Sequence, residues 1–113
     1  STWAIVTQES GHYVGHAFLD EKGEETPEMG FLLTQEVWGQ GLGTEVAVRI
    51  LRHAMDALGY DRVVASVTED HPASIRVLEK VGMSLDSVGC DDLGRYRVYL
   101  ASRDVWRGPL AGD

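Results

Sequence analysis

The chain has little cysteine and few basic residues. Its 113 residues include a single cysteine, and 10 Lys and Arg stand against 18 Asp and Glu, which gives a formal net charge of −8. One cysteine cannot form an internal disulfide, so a disulfide-stabilised secreted scaffold is excluded and a reducing, cytoplasmic location is expected. Nucleic-acid binding relies on Lys and Arg against phosphate. The acidic balance therefore argues against a nucleic-acid partner and favours a cationic one.

The sequence also lacks long apolar runs. No run approaches the roughly 20 residues that a membrane-spanning helix needs, so we predict no membrane partner. Hydrophobic residues still make up 43% of the chain, which argues against disorder. The length fits one domain, residues 1–113, and is too short for two.

Apolar periodicity and glycine placement predict an α/β fold. A period of 3.6 indicates helices over residues 44–58 and 72–81, and Pro72 and Gly82 suit the start and end of the second one. The apolar face expected of the first helix consists of Ala47, Ile50, Leu51, Ala54 and Leu58. Short apolar runs predict strands over residues 3–6, 13–19, 29–34, 62–68, 84–90 and 95–101. The order β-β-β-α-β-α-β-β implies a mixed sheet with at least two parallel strands.

Residues 38–43 form a glycine-rich segment, Trp-Gly-Gln-Gly-Leu-Gly, between a strand and a helix. Such a segment brings free N–H groups and a positive helix end to one place, which is typical of a phosphate or pyrophosphate site. A P-loop is excluded because Thr44 and Glu45 follow the last glycine. A Rossmann loop is disfavoured because that glycine comes one residue early, although Glu69 lies near its acidic position. The pyrophosphate loop of acyl-CoA transferases, or a turn without a ligand, remain open.

Two segments together resemble the GNAT superfamily of acyl-CoA N-acyltransferases, and most of all its RimJ/RimL branch. Residues 28–33 and 38–45 match the E-x-G-Y/F strand and the W-G-x-G-x-[AG]-[ST]-E loop of that branch. Residues 71–83 resemble its N-x-x-S-x-x-V-L-E-K-x-G-F helix. The resemblance implies a GNAT-like α/β fold. The chain begins at the family's second strand, so we expect the first strand and the helices that help form the acceptor site to be missing.

The resemblance also implies where acetyl-CoA binds. The loop backbone would hold the pyrophosphate, and the strand before it would pair with the pantetheine arm. His71 stands where the family has an asparagine that contacts pantetheine. The implied cofactor-binding residues are Phe31, Leu32, Leu33, Trp38, Gly39, Gln40, Gly41, Leu42, Gly43, Thr44, His71 and Ser74. No metal is expected, since His12 and His16 lack a third ligand.

By the same resemblance, Glu28 and Ser74 are the catalytic candidates. Glu28 would act as the base, directly or through water, and Ser74 would lie near the cofactor sulfur. Leu78 stands where many members carry a tyrosine acid. The implied reaction transfers an acetyl or acyl group from acetyl-CoA by direct attack of a primary amine. That amine would belong to a protein N-terminus, a polyamine, an aminoglycoside or another small amine. Residues 20–28 carry five acids and one lysine, which favours a cationic acceptor.

Two other functions remain open. A non-catalytic acyl-CoA-binding module would explain His71 in place of asparagine and Leu78 in place of tyrosine. A GNAT-like fragment could instead dimerise, because a sheet without its first strand and helices would expose an edge and an apolar face. Cys90 is expected to be a small buried hydrophobe. Tyr96 and Tyr99 fall on opposite faces of the last strand, so one of them could line the site.

Overall fold

A computed structural model describes residues 2–6, 10–21, 26–34 and 41–108. Six strands in these residues join into one sheet. The strands are β1 (Thr2–Val6), β2 (Tyr13–Asp20), β3 (Glu28–Leu33), β4 (Arg62–Thr68), β5 (Ser84–Asp91) and β6 (Gly94–Ser102). The helices are α1 (Leu42–Arg52) and α2 (Pro72–Val81), and a π-helical turn (His53–Ala57) continues α1.

The sheet order is β1-β2-β3-β4-β6-β5, and its pairing is mixed. Strands β3 and β4 run parallel, and the other neighbouring pairs run antiparallel. A parallel pair needs a crossover connection, which α1 supplies between β3 and β4. The predicted α/β fold with a mixed sheet is therefore confirmed.

The π-helical turn changes which residues of the first helical segment are buried. The N–H of Leu58 donates to the carbonyl of His53, five residues earlier, at 3.1 Å. Such a turn is wider than an α-helical one and rotates the residues that follow it. As a result, Met55 is buried and Leu58 is 44% exposed. The expectation that Leu58 lies on the apolar face is wrong, whereas Ala54 is buried as expected.

Both helices pack on one face of the sheet, which we call the helix face. Its core is one cluster in which Leu19, Met29 and Tyr99 from the strands meet Leu51 and Val81 from the helices. Because side chains alternate along a strand, the neighbouring residues point to the opposite face, which we call the open face. The open face carries Phe18, Leu32, Val64, Val98 and Leu100. Neither α1 nor α2 covers it.

The end of α2 depends on glycine. Gly82 has a φ of 101°, and a Cβ there would come within 2.6 Å of the carbonyl oxygen of Gly108. The indole Nε1–H of Trp106 donates to the carbonyl of Val81 at 2.9 Å, so the chain after β6 closes over this helix end. Pro72 and Gly82 thus bound α2 where the sequence predicts.

Two further observations concern the surface of the described residues. Cys90 is exposed on the edge strand β5, so the expectation that it is buried is wrong. Edge strands have a neighbour on one side only, and a small side chain there gains little cover. In the part of the chain that the structure describes, no helix has the length and apolarity to cross a membrane.

Candidate active site

Strands β3 and β4 separate soon after they meet. Their register contains one Cα pair, Glu28 with Val64, and the N–H of Val64 donates to the carbonyl of Pro27 at 3.0 Å. A regular parallel ladder would continue with Gly30 opposite Ser66, but that pair does not form. Each strand remains paired along its whole length with its other neighbour. A wedge-shaped cleft therefore opens between β3 and β4, and it widens towards their carboxyl ends.

The backbone of Phe31 points into this cleft. The N–H of Thr34 donates to the carbonyl of Val14 at 2.8 Å. Because hydrogen-bonded pairs alternate along an antiparallel ladder, this bond shows which residues of β3 bond to β2. Counting back along the register, Leu32 and Gly30 bond to β2, and Phe31 directs its N–H and carbonyl to the other side. The backbone available to a ligand in this strand is thus that of Phe31 rather than that of Leu32. The side chain of Leu32 is 63% exposed on the open face.

Helix α1 begins close to the wide end of the cleft with a glycine N-cap. Gly41 has φ 78° and ψ 0°, and its carbonyl accepts the N–H of Glu45 at 3.1 Å. Glycine has no side chain to satisfy the first turn, and no side-chain cap bond forms there. The N–H groups of Leu42, Gly43 and Thr44 come too early in the helix to have intrahelical acceptors. These groups and the positive end of the helix dipole suit an anion.

Gly43 allows three elements to meet at this point. A Cβ at Gly43 would lie 3.1 Å from Cγ2 of Val77, 3.5 Å from Cε2 of Phe31 and 3.6 Å from Cδ1 of Leu33. The start of α1 is therefore in contact with the end of β3 and the middle of α2. Ser74 is half-buried and precedes Val77 by three residues, so it lies on the same side of α2, towards α1. The structure thus brings Gly43, Phe31 and Val77 together, and Ser74 lies one helical turn before Val77.

His71 lies at the N-cap of α2 and is exposed. Its side chain makes no cap hydrogen bond, and its Nε2 is 3.9 Å from Oδ1 of Asp70. The hydroxyl of Thr68 donates to the Asp70 carboxylate and, as the main cause, holds the pKa of Asp70 below its ordinary value. This side of the cleft thus ends in a turn with a retained negative charge.

Glu28 lies at the closed end of the cleft and on the open face. It is exposed and stands opposite Asp20 in the register of β2 and β3. Three residues of extended chain, roughly 10 Å, separate Glu28 from Phe31. Glu28 could therefore reach an amine that approaches from the open face, either directly or through water.

A shallow cavity of about 330 Å³ borders the β4 side of the cleft. It is lined by Ser66, Val67, Thr68, Asp91 and Tyr96. The sequence does not single out Asp91, because its place in this cavity depends on the distant pairing of β5 with β6 and of β6 with β4. Tyr96 is the tyrosine of the last strand that faces this side, and Tyr99 is buried in the core.

Glu21, in the acidic segment of residues 20–28, is attached to the body of the protein near the closed end of the cleft. The hydroxyl of Tyr60 donates to Oε1 of Glu21 at 2.5 Å. That hydrogen bond is the main reason why the pKa of Tyr60 lies above its ordinary value. Asp20 and Glu28, at the two ends of this segment, lie on the sheet itself.

Some expected site residues cannot be placed. Trp38, Gly39 and Gln40 lie outside the described residues, whereas Gly41, Leu42, Gly43 and Thr44 form the start of α1. Within residues 2–6, 10–21, 26–34 and 41–108, no three His, Cys, Asp or Glu side chains are grouped so as to hold a metal ion. Nδ1 of His16 is instead 3.1 Å from the hydroxyl of Tyr13.

Comparison with known families agrees with this geometry. Residues 1–84 match the model of the acetyltransferase (GNAT) domain. The chain therefore belongs to the GNAT acetyltransferase domain family, which is the family indicated by its glycine loop and second helix.

Individual relatives support the same assignment. The uncharacterized N-acetyltransferase YoaA of Bacillus subtilis (strain 168) is 29% identical over 90 residues, which are 76% of this chain and 50% of YoaA. The ribosomal-protein-S5-alanine acetyltransferase from Vibrio fischeri has a TM-score of 0.83 at 15% identity, covering 94% of this chain and 63% of its own. The spermidine N-acetyltransferase SpeG of Vibrio cholerae, as its F149A mutant, has a TM-score of 0.79 at 12% identity, covering 91% and 65%. At these identities the structural likenesses show the fold. The chain spans about half the length of the curated relatives that it matches.

Proposed function

We propose that this domain transfers an acetyl group from acetyl-CoA to a primary amine by direct attack. The observation that carries the proposal is the cleft, where β3 and β4 share one register pair and Phe31 turns its backbone into the gap. The glycine-capped start of α1 is in contact with the same strand. Membership of the GNAT domain family supports acetyl-CoA as the acyl donor.

The packing around the start of α1 supports a site for acetyl-CoA. Gly43 packs closely against the side chains of Phe31 and Val77. This contact holds the first N–H groups of α1 near β3. The N–H groups of Gly43 and Thr44 would hold pyrophosphate oxygens, together with the loop residues Trp38, Gly39 and Gln40. The backbone of Phe31 would pair with the pantetheine amides as a neighbouring strand would.

The chemistry divides between the two faces of the sheet. Bound acetyl-CoA supplies a thioester whose carbonyl carbon is the site of attack. The N–H of Phe31 would donate to the carbonyl oxygen as negative charge develops on it. Glu28 would take a proton from the amine, whose pKa is about 10 for a lysine-type group and about 8 for an α-amino group. The new C–N bond replaces the C–S bond, and the Ser74 hydroxyl would donate a hydrogen bond to the leaving thiolate, which then takes its proton from water.

The acceptor would approach from the open face and carry positive charge. Asp20 and Glu28 stand opposite each other there, and Asp91 lines the cavity on the far side of the cleft. A protein N-terminus, a polyamine, an aminoglycoside or another small amine would suit these carboxylates. One structural neighbour is named for an alanine of a ribosomal protein and another for spermidine, so the names include both a protein acceptor and a polyamine acceptor.

The test combines binding with turnover. Coenzyme A at about 100 times its Kd should raise the free energy of unfolding by about 2.7 kcal/mol, which a thermal shift detects. Acetyl-CoA mixed with a panel of protein-derived, polyamine and aminoglycoside acceptors should release free thiol with at least one of them. Stabilisation without thiol release from any amine would contradict transfer. No stabilisation by coenzyme A would contradict the cofactor site as well.

A non-catalytic acyl-CoA-binding module is the second candidate. Leu78, at the position of the family's tyrosine acid, is 3% exposed and belongs to the core, so it offers nothing to the cleft. The exposed His71 weakens one expected pantetheine contact. This candidate predicts that coenzyme A raises the Tm and that no amine causes release of free thiol from acetyl-CoA.

Homodimerisation through the open face is a separate proposal. It is supported by the large exposed fraction of Leu32 on a face that neither α1 nor α2 covers. Light scattering of the full chain should then give twice the mass of 12.4 kDa, and the mass of one chain would contradict it.

A further inference from the structure

Arg97 connects three elements beneath α2. It lies on β6, on the helix face, where it pairs in register with Val67 of β4. Its Nε is 3.4 Å from Oε1 of Glu69, and its Nη1 donates to the hydroxyl of Tyr99 at 3.3 Å. That hydroxyl in turn donates to Oε2 of Glu79 at 3.0 Å. One guanidinium therefore joins the turn before α2 to the last turns of α2.

Glu69 is held from two sides. Its other carboxylate oxygen lies 3.4 Å from Nε of Arg95, and its N–H donates to the Arg95 carbonyl at 3.0 Å. The side chains of Glu69 and Arg97 are 30% and 33% exposed, whereas that of Arg95 is 69% exposed. The hydrogen bond to the Tyr99 hydroxyl is the main reason why the pKa of Arg97 lies above its ordinary value, and the bond to Glu69 is the next largest cause. Arg97 is thus the more sheltered partner of Glu69, and it alone also reaches Tyr99.

The beginning of α2 depends on this turn. His71 at the N-cap makes no side-chain cap bond, so the helix start is held by backbone bonds, from His71 to Thr68 at 3.2 Å and from Ile75 to His71 at 3.2 Å. Ser74 lies within the turn that the second of these bonds closes. An isolated surface ion pair would contribute little. A forked guanidinium that holds groups from different elements constrains geometry as well as charge.

We infer that Arg97 is a positioning residue, which holds the turn before α2 so that the Ser74 hydroxyl keeps its place beside the cleft; the inference rests on the proposed function. The guanidinium of Arg97 bonds to Glu69 and Tyr99. Its effect would pass through Glu69 to the start of α2 and through Tyr99 and Glu79 to its end.

The first readout needs no activity. In Arg97→Gln, the amides of Ile75 and Glu69 should exchange their hydrogens about tenfold faster than in the wild type, because local opening of the turn becomes easier. Arg95→Gln is the matched control, since it removes the exposed partner of the same carboxylate and should leave Ile75 unchanged. Arg97→Lys keeps the positive charge but lacks the branched guanidinium. It provides a second variant in case Arg97→Gln does not fold. It should also speed the exchange of Ile75. Unchanged exchange of Ile75 in Arg97→Lys would overturn the inference.

The second readout is a double-mutant cycle with Ser74→Ala, using kcat for thiol release. Arg97→Lys should lower kcat by about tenfold, because small misplacements of reacting groups lower rates by up to roughly 100-fold. In the Ser74→Ala background the same change should have almost no effect, since the group that it positions is gone. An equal loss in both backgrounds would contradict positioning through Ser74. If the wild type releases no thiol but Ile75 still exchanges faster in the variant, the proposed function fails and the structural role of Arg97 stands.

Discussion

Gly41 and Gly59 offer a matched pair of substitutions at opposite ends of one helical segment. Both glycines have a φ of 78°, and a Cβ at either position would meet no atom within 4 Å. Leu42 to Ala57 lie between them and separate them by roughly 24 Å at 1.5 Å per residue. Only Gly41 lies at the proposed pyrophosphate site, so alanine at the two positions should affect stability alike and binding differently.

The stability cost follows from the backbone alone. A left-handed conformation costs an L-residue about 1–2 kcal/mol, and alanine regains about 0.4–1 kcal/mol by restricting the unfolded chain. A net loss of about 1 kcal/mol lowers the Tm of a domain of this size by about 4–8 °C. Gly41→Ala and Gly59→Ala should both show this loss in thermal unfolding followed by circular dichroism.

Binding of coenzyme A should separate the two variants. If alanine shifts the first turn of α1 and weakens one N–H bond to a charged phosphate oxygen, the loss is about 1.5–3 kcal/mol. That corresponds to a Kd about 10–100 times higher for Gly41→Ala in isothermal titration calorimetry, with Gly59→Ala unchanged. Equal affinities in the two variants, at equal Tm, would refute the reasoning that places pyrophosphate at the start of α1.

Three further substitutions test other parts of the account. Glu28→Gln should lower kcat/KM for an amine by at least roughly 100-fold near neutral pH, as loss of a general base does; a near-normal pH profile would remove Glu28 from the mechanism. Gly30→Ala should destabilise the domain by about 1 kcal/mol in urea unfolding, because its Cβ would overlap the far end of the Phe18 ring, which must then move, and Phe18→Ala should restore part of the loss. Thr68→Val should lower the Tm at pH 7 and have a smaller effect at about pH 2. The Thr68 hydroxyl lowers the pKa of Asp70, so its bond adds stability above the unfolded pKa of about 3.9, and this contribution is lost as the pH falls through the folded pKa. An equal loss of Tm at both pH values would contradict this prediction.

The sequence predicts the second helix better than the first because a proline and a glycine mark the two ends of the second helix. Pro72 and Gly82 each act through their own backbone, and α2 begins and ends where they indicate. The first helix begins two residues earlier than expected, at Leu42, and its periodicity breaks in the π-helical turn. A side-chain hydrogen bond from Arg103 to the carbonyl of Met55 comes from the far end of the chain, so no local pattern could indicate it.

The candidate site shows the same division. The motifs indicate a glycine before the first helix and place Ser74 in the second, because both are local properties, although the N-cap is Gly41 and the helix begins before Thr44. The divergence of β3 from β4 depends on the pairing of two strands that are far apart in the sequence, and no local sequence pattern shows it. The link from Arg97 to Glu69 and Tyr99 depends on the register of β6 against β4 in the same way.

The central claim is that the cleft between β3 and β4, together with the start of α1, binds acyl-CoA. Titration of coenzyme A into the ¹⁵N-labelled protein, followed by NMR, tests it most directly. The account predicts that the amides of Phe31, Gly43 and Thr44 shift saturably, while those of β5, such as Val88, do not. Absence of saturable shifts at these residues, or shifts confined to another part of the molecule, would contradict it.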